Sequence, residues 1–181
     1  MVDDIRSLIP AREVPEIYRQ EGREFYRRVS DSYAEWTHFV RYEDLNSARR
    51  LFGGRLMEWM DDLAAVSATR HACGHIITAA VDNLQFRKGA KLGDMIVMLA
   101  RTTYVSRTSM EVRVYVFVEA NETGTRHLIN HAYFTEVLID EEGNPRTIPY
   151  GLVPEKETEK MEYDGALKRI RIRRERRSGG Y

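Results

Sequence analysis

At 181 residues, the chain has the length of one globular domain with flanking segments and is short for a two-domain enzyme. Its 43% hydrophobic and 31% charged residues suit a buried core with a wetted surface, which excludes wholesale disorder. The 28 basic and 28 acidic side chains cancel, so no overall field attracts a polyanion and any anion site must be local. Cys73 is the one cysteine, which excludes an intrachain disulfide and a cysteine-ligated metal cluster.

The sequence also carries no pattern typical of a membrane or secreted protein. Its first residues have neither a basic flank nor an apolar run. No later stretch approaches the roughly 18 apolar residues that a membrane span requires. We therefore expect a cytoplasmic protein without a membrane partner.

The first elements in chain order are an arm and a strand. Residues 1–32 are polar and charged, and a helix-like pattern over residues 16–29, with Ile17, Phe25 and Tyr26, predicts an N-terminal helical arm. Residues 35–42 are rich in aromatic and β-branched types, which predicts a first strand. A polar loop follows over residues 43–50.

Residues 55–71 predict one long helix. They contain no proline or glycine and place apolar residues at helical spacing: Leu56, Met57, Met60, Leu63, Ala64 and Ala68. Apolar or small residues lie on nearly every side of this segment, so we expect the helix to be wrapped by other elements.

Four strands are predicted after the helix, over residues 75–86, 94–105, 109–119 and 126–140. Residues 109–119 alternate most clearly, which indicates one face in the core and one that is wet or covered by a neighbour. The breaks are short enough for antiparallel neighbours, so the pattern predicts an α+β fold in residues 33–150, with a curved antiparallel sheet around the helix. We expect the core to end near Pro145, and residues 151–181 to form a charged C-terminal tail that is helical or solvated.

Asp61 is the leading candidate for chemistry. Met57, Ala64, Ala65 and Ala68 share its face of the helix, and a carboxylate on an apolar stripe must be partnered, protonated or useful. Asp62 shares its side with Glu58 and is more easily solvated. The alternative interpretation is that Asp61 merely bonds backbone or an arginine across an interface.

The start of the helix and the loop before it supply the next candidates. Gly53 and Gly54 leave backbone N–H groups unblocked at the positive end of the helix dipole, where a polarised carbonyl could sit. They could equally form a tight turn. Asn46 lies 15 residues before Asp61, and its amide could orient a water or a carbonyl, although loop asparagines usually make turns.

The remaining polar residues indicate no metal and no nucleotide motif. His71, Cys73 and His75 have ligand-like spacing, but they belong to the end of a helix and the start of a strand, so their side chains should diverge. Two basic features could hold phosphates: the turn at Arg107, Thr108 and Ser109, and residues 168–177 with seven basic side chains and one acidic. The second lacks interleaved aromatics, and we expect no nucleic-acid partner.

One ordered set of motifs is more specific than any of its parts. Residues 46–61 read Asn-Ser-Ala-Arg-Arg-Leu-Phe-Gly-Gly-Arg-Leu-Met-Glu-Trp-Met-Asp, and residues 81–88 read Val-Asp-Asn-Leu-Gln-Phe-Arg-Lys. Gly-Asp follows at 93–94, Arg-Thr-Ser at 107–109, Ala-Tyr-Phe-Thr at 132–135 and Asp-Glu-Glu-Gly at 140–143. Over residues 36–149 the chain resembles the hot-dog-fold acyl-CoA thioesterases of the cytosolic acyl-CoA hydrolase type.

The resemblance implies a hot-dog fold whose protomers pair into a homodimer, commonly assembled further into a hexamer as a trimer of dimers. It implies a site at the dimer interface, with Asp61 facing Asn46 of the partner subunit. Asp61 would be general base or nucleophile, Asn46 would position the reacting group, and the amides of Gly53 and Gly54 would hold the thioester carbonyl.

The resemblance also implies what the enzyme binds. The adenosine phosphates of coenzyme A would lie near Arg107, Thr108, Ser109 and Lys88, and no cofactor is needed because coenzyme A is part of the substrate. The leading hypothesis is hydrolysis of an acyl-CoA thioester. A non-catalytic acyl-CoA sensor or scaffold is the alternative, against which Asp61 argues. A hot-dog dehydratase is a third option, but this sequence lacks the Asp-x-x-x-x-His pairing suited to that chemistry, because Val66 stands five residues after Asp61.

Overall fold

The computed structural model describes residues 8–86 and 88–179. In chain order its strands and helices are β1 (Ile9–Pro10), β2 (Phe25–Arg28), β3 (Ala34–Phe39), α1 (Gly53–Ala72), β4 (His75–Asp82), β5 (Met95–Val105), β6 (Ser109–Glu119), β7 (Arg126–Ile139), β8 (Tyr150–Val153) and α2 (Glu157–Ser178). The predicted long helix and the five strands of the central domain are thus confirmed, with ends displaced by a few residues.

A five-stranded antiparallel sheet in the order β3-β5-β6-β7-β4 forms the centre of the molecule. The helix α1 lies against the inner face of this sheet, and the side chains of α1 that point toward it are almost fully buried: Leu56, Met60, Leu63, Ala64 and Ala68. Alternating residues of β6, Val112, Val114 and Val116, meet the helix from the sheet. The expected curved antiparallel sheet around one long helix is therefore confirmed.

The N-terminal segment differs from its prediction. Residues 16–29 form a short 3-10 turn and the strand β2 rather than an α-helix, and residues 1–7 of the expected arm lie outside the described residues. Gly22, which has a φ of +74°, interrupts the helical pattern. Ile17 is 78% exposed whereas Tyr26 is fully buried, so the pattern that predicted a helix does not mark the buried side.

The C-terminal segment also differs, because the core does not end near Pro145. The strand β8 pairs in parallel with β2, which joins a second, three-stranded sheet β1-β2-β8. The helix α2 then lies on the outer face of the main sheet, where Tyr163 and Ala166 are buried. The helical interpretation of residues 151–181 is confirmed for Glu157–Ser178, whose packing on the sheet contradicts a solvated tail, whereas residues 151–153 belong to a strand that was not predicted.

Candidate active site

Two carboxylates meet one hydroxyl on the inner face of the sheet. Asp61 lies on the third turn of α1, and Thr78 and Glu136 are cross-strand partners in β4 and β7. The Thr78 hydroxyl donates to Asp61 Oδ1 at 2.7 Å and lies 3.3 and 3.2 Å from the two carboxyl oxygens of Glu136. A register shift in β4 directly after Thr78 turns the following residues to the other face, a distortion that is frequent beside active sites.

Glu136 is the most perturbed acid of this group. Its side chain is fully buried. Burial raises the pKa of Glu136 to about 7, the nearby Asp61 carboxylate adds to the rise, and the hydrogen bond with Thr78 opposes it. Such a group gains or loses its proton near neutral pH, which is the range in which acid and base catalysis operates.

Asp61 is half-buried and Asp62 is exposed. The prediction that Asp61 is the less solvated of the two neighbours is therefore confirmed. Within the described chain, its hydrogen-bond partner is the Thr78 hydroxyl. A half-buried carboxylate that keeps one side open can still reach a ligand.

A second group of predicted residues lies at the start of α1. No side chain of the described residues caps this helix, whose first positions are Gly53 and Gly54, so their N–H groups stay available at its positive end. A methyl group built on Gly54 would come within 2.5 Å of the ring of Phe52, so an alanine there would require this exposed side chain to turn away.

Asn46 lies in the tight loop before this helix and is exposed. Its Oδ1 accepts hydrogen bonds from the backbone N–H groups of Ala48 and Arg50, at 2.9 and 3.1 Å. The carbonyl side of the amide therefore shapes the loop, which leaves the NH₂ group as the part of Asn46 that is suited to bind a ligand.

Asp44 holds this loop in place. Its Oδ2 accepts from the backbone N–H of Arg41 at 2.8 Å and lies 3.0 Å from His38 Nε2, while Arg55 Nε lies 3.8 Å from Oδ1. Burial acts to raise the pKa of Asp44, but these partners outweigh it and the pKa is lowered. Asp44 is thus a buried anion that ties the loop of Asn46 to the first turn of α1.

Asn46, Gly53 and Lys88 line one cleft of about 370 Å³, together with Phe86. Asp61 does not line it, because it follows Gly53 by eight residues on α1, about 12 Å along the axis. Within one chain the predicted residues therefore form two separate groups.

The expected phosphate-binding residues are also divided. Thr108 and Ser109 line a groove of about 470 Å³ between the outer sheet face and α2, where Arg171 and Arg174 belong to the basic run. The carbonyl oxygen of Arg107 accepts a hydrogen bond from the Arg23 guanidinium. Two residues of the predicted turn thus meet the basic run in this groove, although Arg107 itself does not line it, and within one chain Lys88 lies in the other cleft.

The histidines form no metal centre within the part of the chain that the structure covers, where no group of three or more His, Cys, Asp or Glu side chains could hold an ion. His71 is buried with Nε2 3.3 Å from the Tyr150 carbonyl oxygen, and Cys73 is exposed. None of the helices in residues 8–86 and 88–179 is long and apolar enough to cross a membrane.

The sequence reasoning missed Thr78 and Glu136. The signal for Glu136 was available, because it occupies an inward position between the buried residues Phe134 and Leu138 of an alternating strand. An acid in such a position requires the same explanation as Asp61 on its apolar stripe. Thr78 carried no comparable signal, since threonine is common in strands.

Comparisons with known proteins agree with this fold. The model of the thioesterase superfamily matches residues 49–125. The chain is 37% identical over 134 residues to a Bacillus subtilis protein named uncharacterized acyl-CoA thioester hydrolase YkhA, covering 74% of this chain and 77% of that protein. It is 33% identical over 153 residues to the cytosolic acyl coenzyme A thioester hydrolase of Mus musculus, covering 83% of this chain but only 40% of the mouse protein.

A solved structure of the acyl-CoA hydrolase from Staphylococcus aureus, in complex with butyryl coenzyme A and coenzyme A, superposes with a TM-score of 0.79 at 34% identity. The match covers 84% of this chain and 93% of the Staphylococcus chain. The curled sheet around one helix and these matches define a thioesterase of the hot-dog fold. The chain belongs to the thioesterase superfamily, and within it to the acyl-CoA thioester hydrolases, which are enzymes.

Proposed function

We propose that the protein hydrolyses an acyl-CoA thioester to a carboxylate and free coenzyme A, with Asp61 as the group that activates the attack. The observation that carries this proposal is the Asp61 carboxylate, half-buried and fixed by a 2.7 Å hydrogen bond from Thr78, on the central helix of an acyl-CoA hydrolase fold. A binding protein has no need of an acid held in this way.

As a general base, Asp61 takes a proton from water while the water oxygen bonds to the thioester carbonyl carbon. The carbon–sulfur bond then breaks, and the leaving thiolate recovers the proton from Asp61. As a nucleophile, an Asp61 oxygen displaces the thiolate and forms an acyl anhydride, which water cleaves. In both routes the carbonyl oxygen gains negative charge, and the free N–H groups of Gly53 and Gly54 are suited to stabilise it.

Two copies of the chain are needed to complete this site. Asp61 and the cleft of Asn46 and Gly53 are separated along α1, so we propose that Asp61 works with Asn46 of the partner subunit across a homodimer. A hexameric acyl-CoA thioesterase matches this chain at 34% identity with a TM-score of 0.79. It supports the assembly of three such dimers into a hexamer.

Variants of the Staphylococcus hydrolase support the choice of residues. Structures of that enzyme have been characterised with an asparagine, an aspartate or a threonine replaced by alanine. The asparagine precedes the aspartate by 15 residues, and the threonine follows it by 17. Asn46, Asp61 and Thr78 have the same spacing. We propose that all three are site residues in this protein.

The phosphates of coenzyme A are proposed to bind near Arg107, Thr108 and Ser109, with Lys88 as a further contact supplied by another protomer. The basic side chains of Arg171 and Arg174 beside the same groove favour an anion there. No cofactor is part of the proposal, since coenzyme A enters with the substrate. The mouse relative is named cytosolic, and we propose the same location for this protein.

The proposal is tested by Asp61→Asn, with Asp62→Asn as the matched control on the same turn. We expect Asp61→Asn to lower kcat by about 10²–10⁴-fold, the share that a positioned base contributes. Asp62→Asn should stay within about 3-fold of the parent, since its carboxylate is exposed. Thiol release from short, medium, long and aromatic acyl-CoAs measures both. Tight binding of acyl-CoA without thiol release by the parent would instead identify a sensor.

The two-copy arrangement is tested by mixing inactive proteins. Refolding Asp61→Asn together with Asn46→Ala should restore about a quarter of the parental turnover, because half of the random dimers then hold one intact site of two. The restored activity is measured against each variant refolded alone. If the mixture stays as inactive as its components, Asp61 and Asn46 act within one chain.

A further inference from the structure

The cluster of Asp61, Thr78 and Glu136 on the inner face contains more hydrogen-bond acceptors than the one hydroxyl proton of Thr78 can serve. Thr78 carries a single hydroxyl proton, and three carboxyl oxygens of Asp61 and Glu136 lie within 3.3 Å of its oxygen. The proton points to Asp61, because that contact is the short one at 2.7 Å. With both acids ionised, the oxygens of Glu136 would face the Thr78 oxygen with no hydrogen between them.

The surroundings of Glu136 do not support its negative charge. Along β7 its neighbours on the same face are Phe134 and Leu138, and its partner on β6 is Met110, all of them buried. The groups that face it from β4 and α1 are Thr78 and Asp61. No arginine, lysine or histidine of the described residues forms an ion pair with it.

Glu111 shows what an ionised glutamate needs in this sheet. It is equally buried, at 2% exposure, on the outer face. There Arg169 Nη2 and Nε donate to its two oxygens at 2.7 and 3.0 Å, and Arg173 lies 3.8 Å away. Two buried glutamates of one fold thus differ in the presence of a counter-ion, which decides whether a buried carboxylate keeps its charge.

We propose that Glu136 is a positioning residue for hydrolysis: it stays protonated, donates its carboxyl O–H to the Thr78 oxygen, and so commits the Thr78 proton to Asp61. This inference rests on the proposed role of Asp61. The two acids then hold one negative charge between them, located on Asp61. A directed chain of two hydrogen bonds fixes the orientation of the reacting carboxylate.

The chain fails when Glu136 ionises. Burial raises its pKa to about 7, and the Asp61 charge adds to the rise. Above that pH two carboxylates compete for one hydroxyl proton, so Asp61 loses its fixed orientation. A second negative charge also opposes the one that develops on the substrate, so kcat falls.

The test compares the pH profiles of the parent, Glu136→Gln and Glu136→Leu. Glutamine can donate to Thr78 but cannot ionise, so Glu136→Gln should keep kcat within about 3-fold at pH 6 and lack the inflection near pH 7. The parent should lose about 3- to 10-fold in kcat across that inflection, with KM unchanged, as expected for one misdirected hydrogen bond. Glu136→Leu should lose a similar factor at every pH.

Glu111→Gln is the control, because it neutralises a buried glutamate of the same sheet without touching Thr78. It should keep the inflection of the parent whatever it does to stability. An inflection near pH 7 that persists unchanged in Glu136→Gln, or a Glu136→Gln enzyme that is no better than Glu136→Leu, would show that Glu136 does not position Asp61.

A measurement without substrate separates this inference from the proposed function. A glutamate whose pKa rises from 4.5 unfolded to about 7 folded binds its proton more tightly in the folded state, so its stabilisation is lost as the pH rises through that window. His71, with a pKa lowered to about 4 by burial, acts in the opposite sense in both proteins. The difference in the free energy of unfolding between parent and Glu136→Gln should therefore change with pH between about 4.5 and 7.

Each failure has its own signature. If Asp61→Asn leaves turnover intact, the proposed function is wrong, whereas the unfolding difference still reports on Glu136. If that difference is independent of pH, Glu136 is ionised in the fold and the inference is wrong whatever the activity. Should Glu136→Gln not fold, infrared titration of the parent decides: a protonated carboxyl band must disappear near pH 7.

Discussion

The two faces of the central sheet are covered by helices of similar length that are attached by different forces. On the inner face, α1 buries an apolar stripe that includes Met60 and Ala64, both fully inaccessible. On the outer face, α2 buries little apolar surface beyond Tyr163 and Ala166. Hydrophobic burial holds the first helix, whereas paired charges hold the second.

The charge contacts of α2 run along its length. Glu162 of α2 forms ion pairs with two arginines of the sheet, Arg101 at 2.8 Å and Arg113. In the next turns the polarity reverses, since Arg169 and Arg173 of α2 reach Glu111 and Asp82, each at 2.7 Å. Arg169 also lies over the Tyr133 ring. This reversal of sign gives the helix one register on the sheet.

The comparison shows why one helix was evident in the sequence and the other was not. Apolar residues at helical spacing mark a face that needs burial, whatever covers it. A row of arginines looks the same whether it is solvated or paired with carboxylates on strands 58 residues earlier, as for Arg169 and Glu111. Charge complementarity over such distances has no periodic signature.

The largest effect is expected on the apolar side. Met60→Ala removes a fully buried side chain from α1 and should lower the free energy of unfolding by about 3 to 4 kcal/mol, through lost burial and the cavity that remains. Denaturant unfolding measures the loss. Met161→Ala on α2 is the matched control: its side chain is 68% exposed, and we expect a change below about 0.5 kcal/mol. Equal losses would contradict the contrast between the helices.

A smaller effect with a distinctive pattern is expected on the charged side. Glu111→Met leaves Arg169 without its carboxylate, and should cost about 2 to 3 kcal/mol, less than for a fully buried pair because Arg169 is 18% exposed. Adding Arg169→Met should restore most of the loss, because two apolar side chains replace the pair, while Arg173 keeps Asp82. A double-mutant cycle by denaturant unfolding measures both steps. Additive losses would mean that the pair does not hold α2.

Much of the fold could be predicted from residue patterns alone. The alternation over β6 placed that strand at its observed residues, and the uninterrupted apolar spacing placed α1. The prediction for the N-terminal segment failed because its helix-like pattern rested on Ile17 and Phe25, which are exposed, whereas Val14 and Tyr18 are buried. They are buried in turns, whose geometry depends on Pro15, Gly22 and contacts from far along the chain.

The candidate site was predictable in part for a related reason. Asp61 is an acid on an apolar face of its own helix, and this can be seen from the neighbouring residues of the sequence alone. Glu136 is likewise an acid among the apolar residues of its strand. Its role, however, depends on contacts with Thr78 and Asp61, which lie 58 and 75 residues earlier. A network whose members belong to three elements can be recognised only when the register of the strands and the orientation of the helix are known.

The parallel pairing of β2 with β8 joins residues that are 125 positions apart. A loop of that size is among the costliest to close, so this ladder should be among the last parts of the molecule to form. During translation β2 leaves the ribosome long before its neighbour is made. Tyr26, which is completely buried in the finished protein, lacks its contact with Gly151 until β8 has been synthesised, so we expect its ring to be more open to chaperones or wrong partners during that time.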